Sequence, residues 1–367
     1  MHTIPEGIDT PEIMIDRDVL VRNIARMATT VGAKGLEVRP HAKTHKVPEI
    51  AALQLSAGAV GLTVATIGEA EVFAEHGVDD FFIAYPLWIG PREADRLRRL
   101  LRANVRLAVG MDSPEAAQMM AQSMGPEAGQ IHVLLEIDSG HHRSGIAPEA
   151  GVAVAEAAAA AGLHVAGIFT FPGHSYAPGM PIKAAEQEES ALGTASTLLV
   201  AAGFNVERLS GGSTPTAALT GPSIVTEVRP GVYVFGDAQQ LELERCTPED
   251  IVLTVAATVV SRHEGTHGMP RRVILDAGSK ILGSDRPAWT TGFGRIMDRL
   301  DARITALSEH HATVVWPPEV TLPALGERLL VIPNHVCIAM NLVDEVTVTA
   351  DGTIIDRWRV AARGHNK

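Results

Sequence analysis

Through the first two-thirds of the chain, short apolar runs alternate with longer Ala/Leu/Glu/Arg-rich stretches whose apolar positions recur at helical period. That rhythm is the signature of βα units. Strands are predicted to end near Lys43, Thr66, Tyr85, Val109, Asp138, Thr170, Ser210 and Phe235. The stretches Pro48–Ser56, Ile67–His76, Pro91–Leu101, Pro114–Ser123, Pro148–Ala161 and Ala184–Ala202 read as the helices between them. Several open on Pro in the first turn or close at Gly58, Gly77, Gly162 or Gly203, the usual start and stop asymmetry. Eight strands at intervals of roughly 20–40 residues predict an α/β fold, a (β/α)8 TIM-type barrel. A doubly wound open sheet is the alternative, although no Gly-x-Gly-x-x-Gly follows the first strand.

After about Glu244 the rhythm changes. Ile251–Ser261, Val273–Asp276, Ala312–Trp316, Arg328–Pro333 and Glu345–Ala350 are strand-like with little helix between them, and Asp351-Gly352 reads as a hairpin turn. The expected organisation is a barrel over residues 17–244 and a C-terminal, mostly antiparallel β domain over 245–367. The strand predicted at 10–16 precedes the barrel and is assigned to the β domain.

At 367 residues the chain can bury a large core and form two domains. The net charge of −12 and the absence of long basic runs argue against a nucleic-acid partner. No apolar segment reaches membrane-spanning length, the first residues do not read as a targeting segment, and two cysteines make no disulfide framework. The expectation is a soluble, cytoplasmic protein.

Lysine is scarce: six stand against 25 arginines, at positions 34, 43, 46, 183, 280 and 367. Two of them fall in Arg39-Pro40-His41-Ala42-Lys43-Thr44-His45-Lys46, which closes an apolar run. If this is the end of a strand, His41, Lys43 and His45 share one face and Lys46 points away. A lysine facing inward beside imidazoles has the lowered pKa that a Schiff-base amine requires. A solvated basic loop fits the octapeptide equally well. Other predicted strand ends are also polar: Tyr85, Asp138 to Gly145 including Arg143, Phe171 to Tyr176 including His174, and Gly211-Gly212-Ser213-Thr214. Barrels place their chemistry at these ends and commonly bind phosphate after strands 7 and 8. A Gly-Gly-Ser-Thr turn offers an anion nest, though many such turns are ordinary. Joined to a strand-borne lysine it suggests pyridoxal 5'-phosphate (PLP), with Arg143 and Tyr176 against its ring; Arg143 reads otherwise as a salt-bridged surface residue. In the β domain, Pro333-Asn334-His335-Val336-Cys337 places imidazole and thiol at i and i+2 on a predicted strand. That pair suits zinc better than magnesium or calcium, and an ordinary buried His and Cys remain the alternative.

These segments, with Tyr85-Pro86-Leu87 and Gly173-His174-Ser175-Tyr176, resemble the D-serine dehydratase/D-threonine aldolase family, in order from about Asp9 to Asp344. The resemblance implies a fold-type III PLP enzyme with an alanine-racemase-like barrel, a metal ion, a homodimer and D-amino-acid substrates bearing a 3-hydroxyl. It implies Lys43 as the Schiff-base lysine, with His41, Arg143 and Tyr176 around the cofactor and Gly211, Gly212, Ser213 and Thr214 as the phosphate cradle. It implies His335 and Cys337 as metal ligands. His-x-Cys points to zinc and to dehydration, giving a 2-keto acid and ammonia. Manganese or magnesium, and retro-aldol cleavage to glycine and an aldehyde with His174 as base, form the alternative. Racemase-like chemistry and a non-catalytic PLP-binding role stand further off. Ile338-Ala339-Met340-Asn341-Leu342 and Gly278-Ser279-Lys280 depart from the family pattern, which bears on substrate identity.

Overall fold

The computed structural model describes residues 3–221, 224–266 and 268–367. It divides into two units, each described here by itself. One comprises Arg26–Lys43, Ile50–Gly231 and Gly364–Lys367, the other Met1–Ala25, Thr44–Glu49 and Val232–Arg363.

The chain opens with strand β1 (Glu12–Asp16) and a helix over Arg17–Gly32. Eight short strands of the first unit follow. These are β2 (Glu37–Val38), β3 (Leu62–Val64), β4 (Asp80–Pro86), β5 (Arg106–Met111), β6 (His132–Glu136), β7 (His164–Phe169), β8 (Arg208–Gly211) and β9 (Glu227–Val228). They run parallel in the order β2-β9-β8-β7-β6-β5-β4-β3, and a bridge between His41 and Thr63 links the two ends. This is the TIM-type barrel. Its strands are near-continuous apolar runs because parallel strands are covered on both faces: β3 is buried throughout, and β6 in all but its first residue. The connecting helices start where the chemistry dictates. Thr66 and Ser113 accept from backbone N–H groups three residues on, and Pro91, Pro114 and Pro181 occupy first-turn positions. Phe82 and Phe169 meet edge-on in the core at 5.0 Å. Gly110 lies against them, and a Cβ there would stand 2.8 Å from the Phe169 ring.

The second unit is mostly antiparallel. Its strands are β1 with β10 (Leu253–His263), β11 (Arg272–Leu275), β12 (Gly294–Ile296), β13 (Arg299–Leu307), β14 (Ala312–Val315), β15 (Arg328–Pro333), β16 (Glu345–Ala350) and β17 (Thr353–Arg359). The order is β11-β14-β13-β12-β15-β10-β1-β16-β17, and a further β10–β11 pairing closes six of them into a small barrel. β1 pairs with β10 and with β16. Asp351 and Gly352, both at positive φ, make the tight turn between β16 and β17.

Three details of the chain differ from the sequence expectation. The first barrel strand stops at Val38, because Pro40 offers no N–H, and Ala42–Thr44 is a 3-10 turn. The argument that His41, Lys43 and His45 share a strand face therefore fails. The eighth strand lies at Glu227–Val228 rather than ending at Phe235; Pro230 ends it in the same way, and Val232–Val234 is another 3-10 turn. His335 and Cys337 are not on a strand either. β15 ends at Pro333, His335 is the N-cap of a helix over Val336–Met340, and Cys337 sits in its first turn.

Candidate active site

In the barrel unit, the loops beyond several strands converge on one aromatic ring. Lys43 Nζ lies 5.7 Å from the Phe171 centroid and the Arg143 guanidinium 5.0 Å from it. His141 meets the same ring edge-on at 5.6 Å, and Tyr176 lies tilted at 6.4 Å. The structure thus brings together Lys43, Arg143 and Tyr176, which follow three different strands. Gly173 permits this: a Cβ there would stand 2.5 Å from His141 Nε2. Burial, with Arg143 and His174 nearby, pushes the His141 imidazole below its usual range. His174, in the 3-10 turn Gly173–Ser175, has Nε2 3.1 Å from Gln187 Oε1, while its buried Nδ1 has no partner. His41 sits at the bridge to Thr63.

After β8, Gly211 and Gly212 run against the buried carboxyl of Glu188. The Gly212 N–H donates to Glu188 Oε2 at 2.9 Å, and a Cβ on Gly211 would stand 2.7 Å from Oε1. Burial pushes the Glu188 carboxyl up to about 7. The Gly212 amide is thus engaged rather than open to an anion. Beside it the hydroxyls of Ser175, Ser213 and Thr216 form a buried cluster, 2.9 Å and 3.1 Å apart, and Thr214 Oγ1 accepts from the Gly231 N–H at 3.3 Å. Hydroxyl protons rotate to suit a partner, so the glycine approach and this cluster fit a phosphate. Lys43 beside an aromatic ring and a guanidinium fits an aldehyde-bearing cofactor.

The β unit holds the second site. Cys337 is close enough to His335 to act on it by charge and hydrogen bond, and His335 Nδ1 is 2.5 Å from Asp285 Oδ2. Burial opposes the imidazolium, but Cys337, Asp285 and the buried Asp237 outweigh it, so the His335 pKa is raised. Asp237 caps a helix over Ala238–Glu242 and also accepts from Val336 N; burial pushes its carboxyl up to about 6. An imidazole whose Nδ1 is held by a carboxylate presents Nε2 outward, the arrangement that metal-ligating histidines use. Cys337 Sγ donates to Thr44 Oγ1 at 3.4 Å, and Lys46 Nζ donates to Asn341 Oδ1 at 2.9 Å. Among the described residues no group of three or more His, Cys, Asp or Glu side chains is placed to hold an ion. The donor set that fits a metal here is therefore imidazole plus thiolate.

Phe171 and Asp237 fall in predicted strand-end segments without an assigned role, and Glu188, Gln187 and Asp285 lie outside the residues the sequence points to. Glu188 had a signal: it stands in the buried stripe Ala184-Glu188-Leu192-Ala195-Leu199, where a carboxyl is out of character. Asp285 had none, lying fifty residues before its partner.

An alanine-racemase-like barrel joined to a β domain, with a lysine and an arginine gathered at its strand ends, defines a class of enzymes. Residues 15–239 match the alanine racemase N-terminal domain and residues 252–349 a putative serine dehydratase domain. The chain is similar to D-threo-3-hydroxyaspartate dehydratase of a Delftia species, 36% identical over 90% of this chain and 91% of that one. The solved structure of that enzyme superposes with a TM-score of 0.87 at 33% identity, covering 96% and 97% of the two chains. D-threonine aldolase of an Arthrobacter species is 31% identical over 98% and 94%. An uncharacterized Mycobacterium bovis protein is 69% identical over 36% of this chain and 99% of its own length. A solved Cys-to-Ala mutant of D-threo-3-hydroxyaspartate dehydratase, in the metal-free form, superposes at a TM-score of 0.87, 32% identity and 98% and 99% coverage. This chain belongs to the D-serine dehydratase/D-threonine aldolase family, whose members are PLP-dependent lyases. Among the described residues no helix is long and apolar enough to cross a membrane.

Proposed function

We propose that the protein is a PLP- and zinc-dependent lyase, working as a homodimer, that dehydrates D-3-hydroxy amino acids to a 2-keto acid and ammonia. The observation that carries dehydration is the His335–Cys337 pair backed by Asp285. A thiolate with an oriented imidazole favours zinc, a strong Lewis acid toward a departing hydroxyl. PLP, when bound, supplies the electron sink for Cα carbanion chemistry. The remaining tasks fall to the chain's own residues. Lys43 holds the cofactor and, once released, takes the Cα proton at Nζ. Arg143 and Tyr176, gathered at Phe171, would hold the cofactor's ring. The hydroxyls of Ser213 and Thr214 hold the phosphate, Gly211 and Gly212 letting it approach closely, and His41, just before the lysine turn, completes the cofactor's surroundings.

A second reading is retro-aldol cleavage. The buried, partnerless Nδ1 of His174 favours it, since such a nitrogen is available to take a hydroxyl proton. Product analysis with D-threonine decides between them. The proposal expects 2-oxobutanoate and ammonia; glycine and acetaldehyde as main products would replace it with the aldolase reading. Chelation is expected to abolish turnover while the bound cofactor's visible absorbance persists, because His335 and Cys337 leave coordination positions open for substrate. Global unfolding on chelation would instead assign a structural ion.

A further inference from the structure

The β unit carries a second polar cluster that the lyase reading does not use. Thr291 donates to Glu242 from its backbone N–H, at 3.1 and 3.2 Å to the two oxygens, and from its hydroxyl at 2.5 Å. Arg295 pairs with the same carboxylate. Burial opposes ionisation of Glu242, but these bonds outweigh it and hold the carboxyl below its usual range. Glu242 is thus fully used. Arg303 stands opposite Arg295 across β12 and β13, and among the described residues its hydrogen bond is to a neutral partner, Nε to Thr291 Oγ1 at 3.2 Å. Among the described residues no carboxylate lies at ion-pair distance from Arg303; Glu242 and Asp301 act on it only from farther off, against the repulsion of Arg295. Arg295, itself 9% exposed, has a buried Nε without an acceptor, and so does Arg303 Nη1.

Two guanidiniums and one carboxylate leave this half-buried cluster, open to solvent at Thr291, with an excess positive charge. Like charges directly opposite on neighbouring strands are unfavourable, and buried donors without acceptors cost free energy. A second carboxylate would relieve both. The backbone holds the cluster in place: Gly292 is at φ +108°, and a Cβ there would stand 2.6 Å from Ile304 O. Strand register brings the cluster close to the metal ligands, since Gly294 pairs with Pro333, two residues before His335. Gln239, one turn before Glu242, donates its N–H to Asn334 O at 3.3 Å.

We propose that Arg295 and Arg303, with Thr291 between them, form a carboxylate-binding subsite in the β domain. Its occupant is either a second carboxylate of the substrate, which rests on the lyase reading, or a free small carboxylate acting as an effector. Malonate is the probe, titrated calorimetrically into the holoprotein at constant ionic strength. The wild type is expected to bind it, and Arg303→Gln to bind it roughly 10- to 100-fold more weakly, the loss of a charge-assisted hydrogen bond. Arg303→Lys, which keeps the charge, is expected to fall between them. No binding to the wild type, equal affinity in Arg303→Gln, or lost binding accompanied by a change of oligomeric state would overturn the proposal; the last would make this a subunit contact. Kinetics then separates the sources. A fall in kcat/KM for D-threo-3-hydroxyaspartate but not for D-serine in Arg303→Gln assigns the substrate's carboxylate. Parallel kcat/KM values with malonate binding lost assign a free carboxylate. The titration reads the subsite even if the protein turns over none of these amino acids.

Discussion

β2 and β9 lie side by side and carry the same four residues, Glu37-Val38-Arg39-Pro40 and Glu227-Val228-Arg229-Pro230, paired in register. Both strands stop two residues before the proline, and both run on into a three-residue 3-10 turn. Their charged side chains meet opposite surroundings. Glu37 is exposed, whereas Glu227 is buried, accepts from Arg39 at 2.9 Å, Arg208 at 2.7 Å and Ser210 at 2.6 Å, and is held down at about 2 despite its burial. Arg39 is neutralised by Glu227 and Asp80. Arg229 has no carboxylate at ion-pair distance among the described residues. It lies over the Phe82 and Phe169 rings at 5.4 and 5.2 Å and donates to Thr170 O and Ser210 Oγ, and burial lowers its pKa to about 10. The tetrapeptide ends a barrel strand in both copies; neighbours decide whether its charges serve as staples. Only the first copy leads into a lysine.

That contrast can be broken at several points. The largest effect is expected at the residue the copies do not share: Lys43→Ala should lower turnover by roughly a thousandfold or more, as loss of a covalent catalyst does. Residual turnover near the wild-type level, measured as keto-acid release, would remove Lys43 from the chemistry. Next in size is the arginine comparison. Arg39→Met strips a buried carboxylate of one partner and should cost about 3–5 kcal/mol in urea unfolding. Arg229→Met strands no paired carboxylate and should cost less, about 1–3 kcal/mol. Equal losses would mean the two arginines are equivalent staples.

The smallest effects are in the pH profile. The Glu227 value of about 2 lies below its ordinary 4.5, so its contribution to stability is complete above about pH 4.5 and is lost as pH falls toward 2. The Glu188 value of about 7 lies above 4.5, so stability declines as pH rises from about 4.5 to 7 and is flat beyond. Glu227→Gln should flatten the acid limb and Glu188→Gln the slope toward neutrality, both read as denaturation midpoint against pH. An unchanged profile in either variant would contradict the environment described for that carboxyl.

The barrel was legible because each βα unit repeats one local pattern of apolar run, cap and helical period. The β strands Arg328–Pro333 and Glu345–Ala350 fell where the apolar runs placed them. Periodicity failed where proline intervened. Pro40 and Pro230 end strands that the apolar pattern carried on to Lys43 and Phe235. The grouping of Lys43, Arg143 and Tyr176 at Phe171 and the pairing of His335 with Asp285 are long-range contacts, which no local spacing encodes. Glu188 was within reach, as a carboxyl in an apolar helix stripe.

The central claim is that Lys43 carries the cofactor, and borohydride reduction of the holoprotein followed by peptide mapping tests it directly. Reduction fixes the cofactor on its lysine. The account predicts the label on the peptide containing Lys43, with Lys46, which donates to Asn341, left unlabelled. A label on Lys46 or Lys280, or no label in a protein that releases keto acid from D-serine, would contradict it.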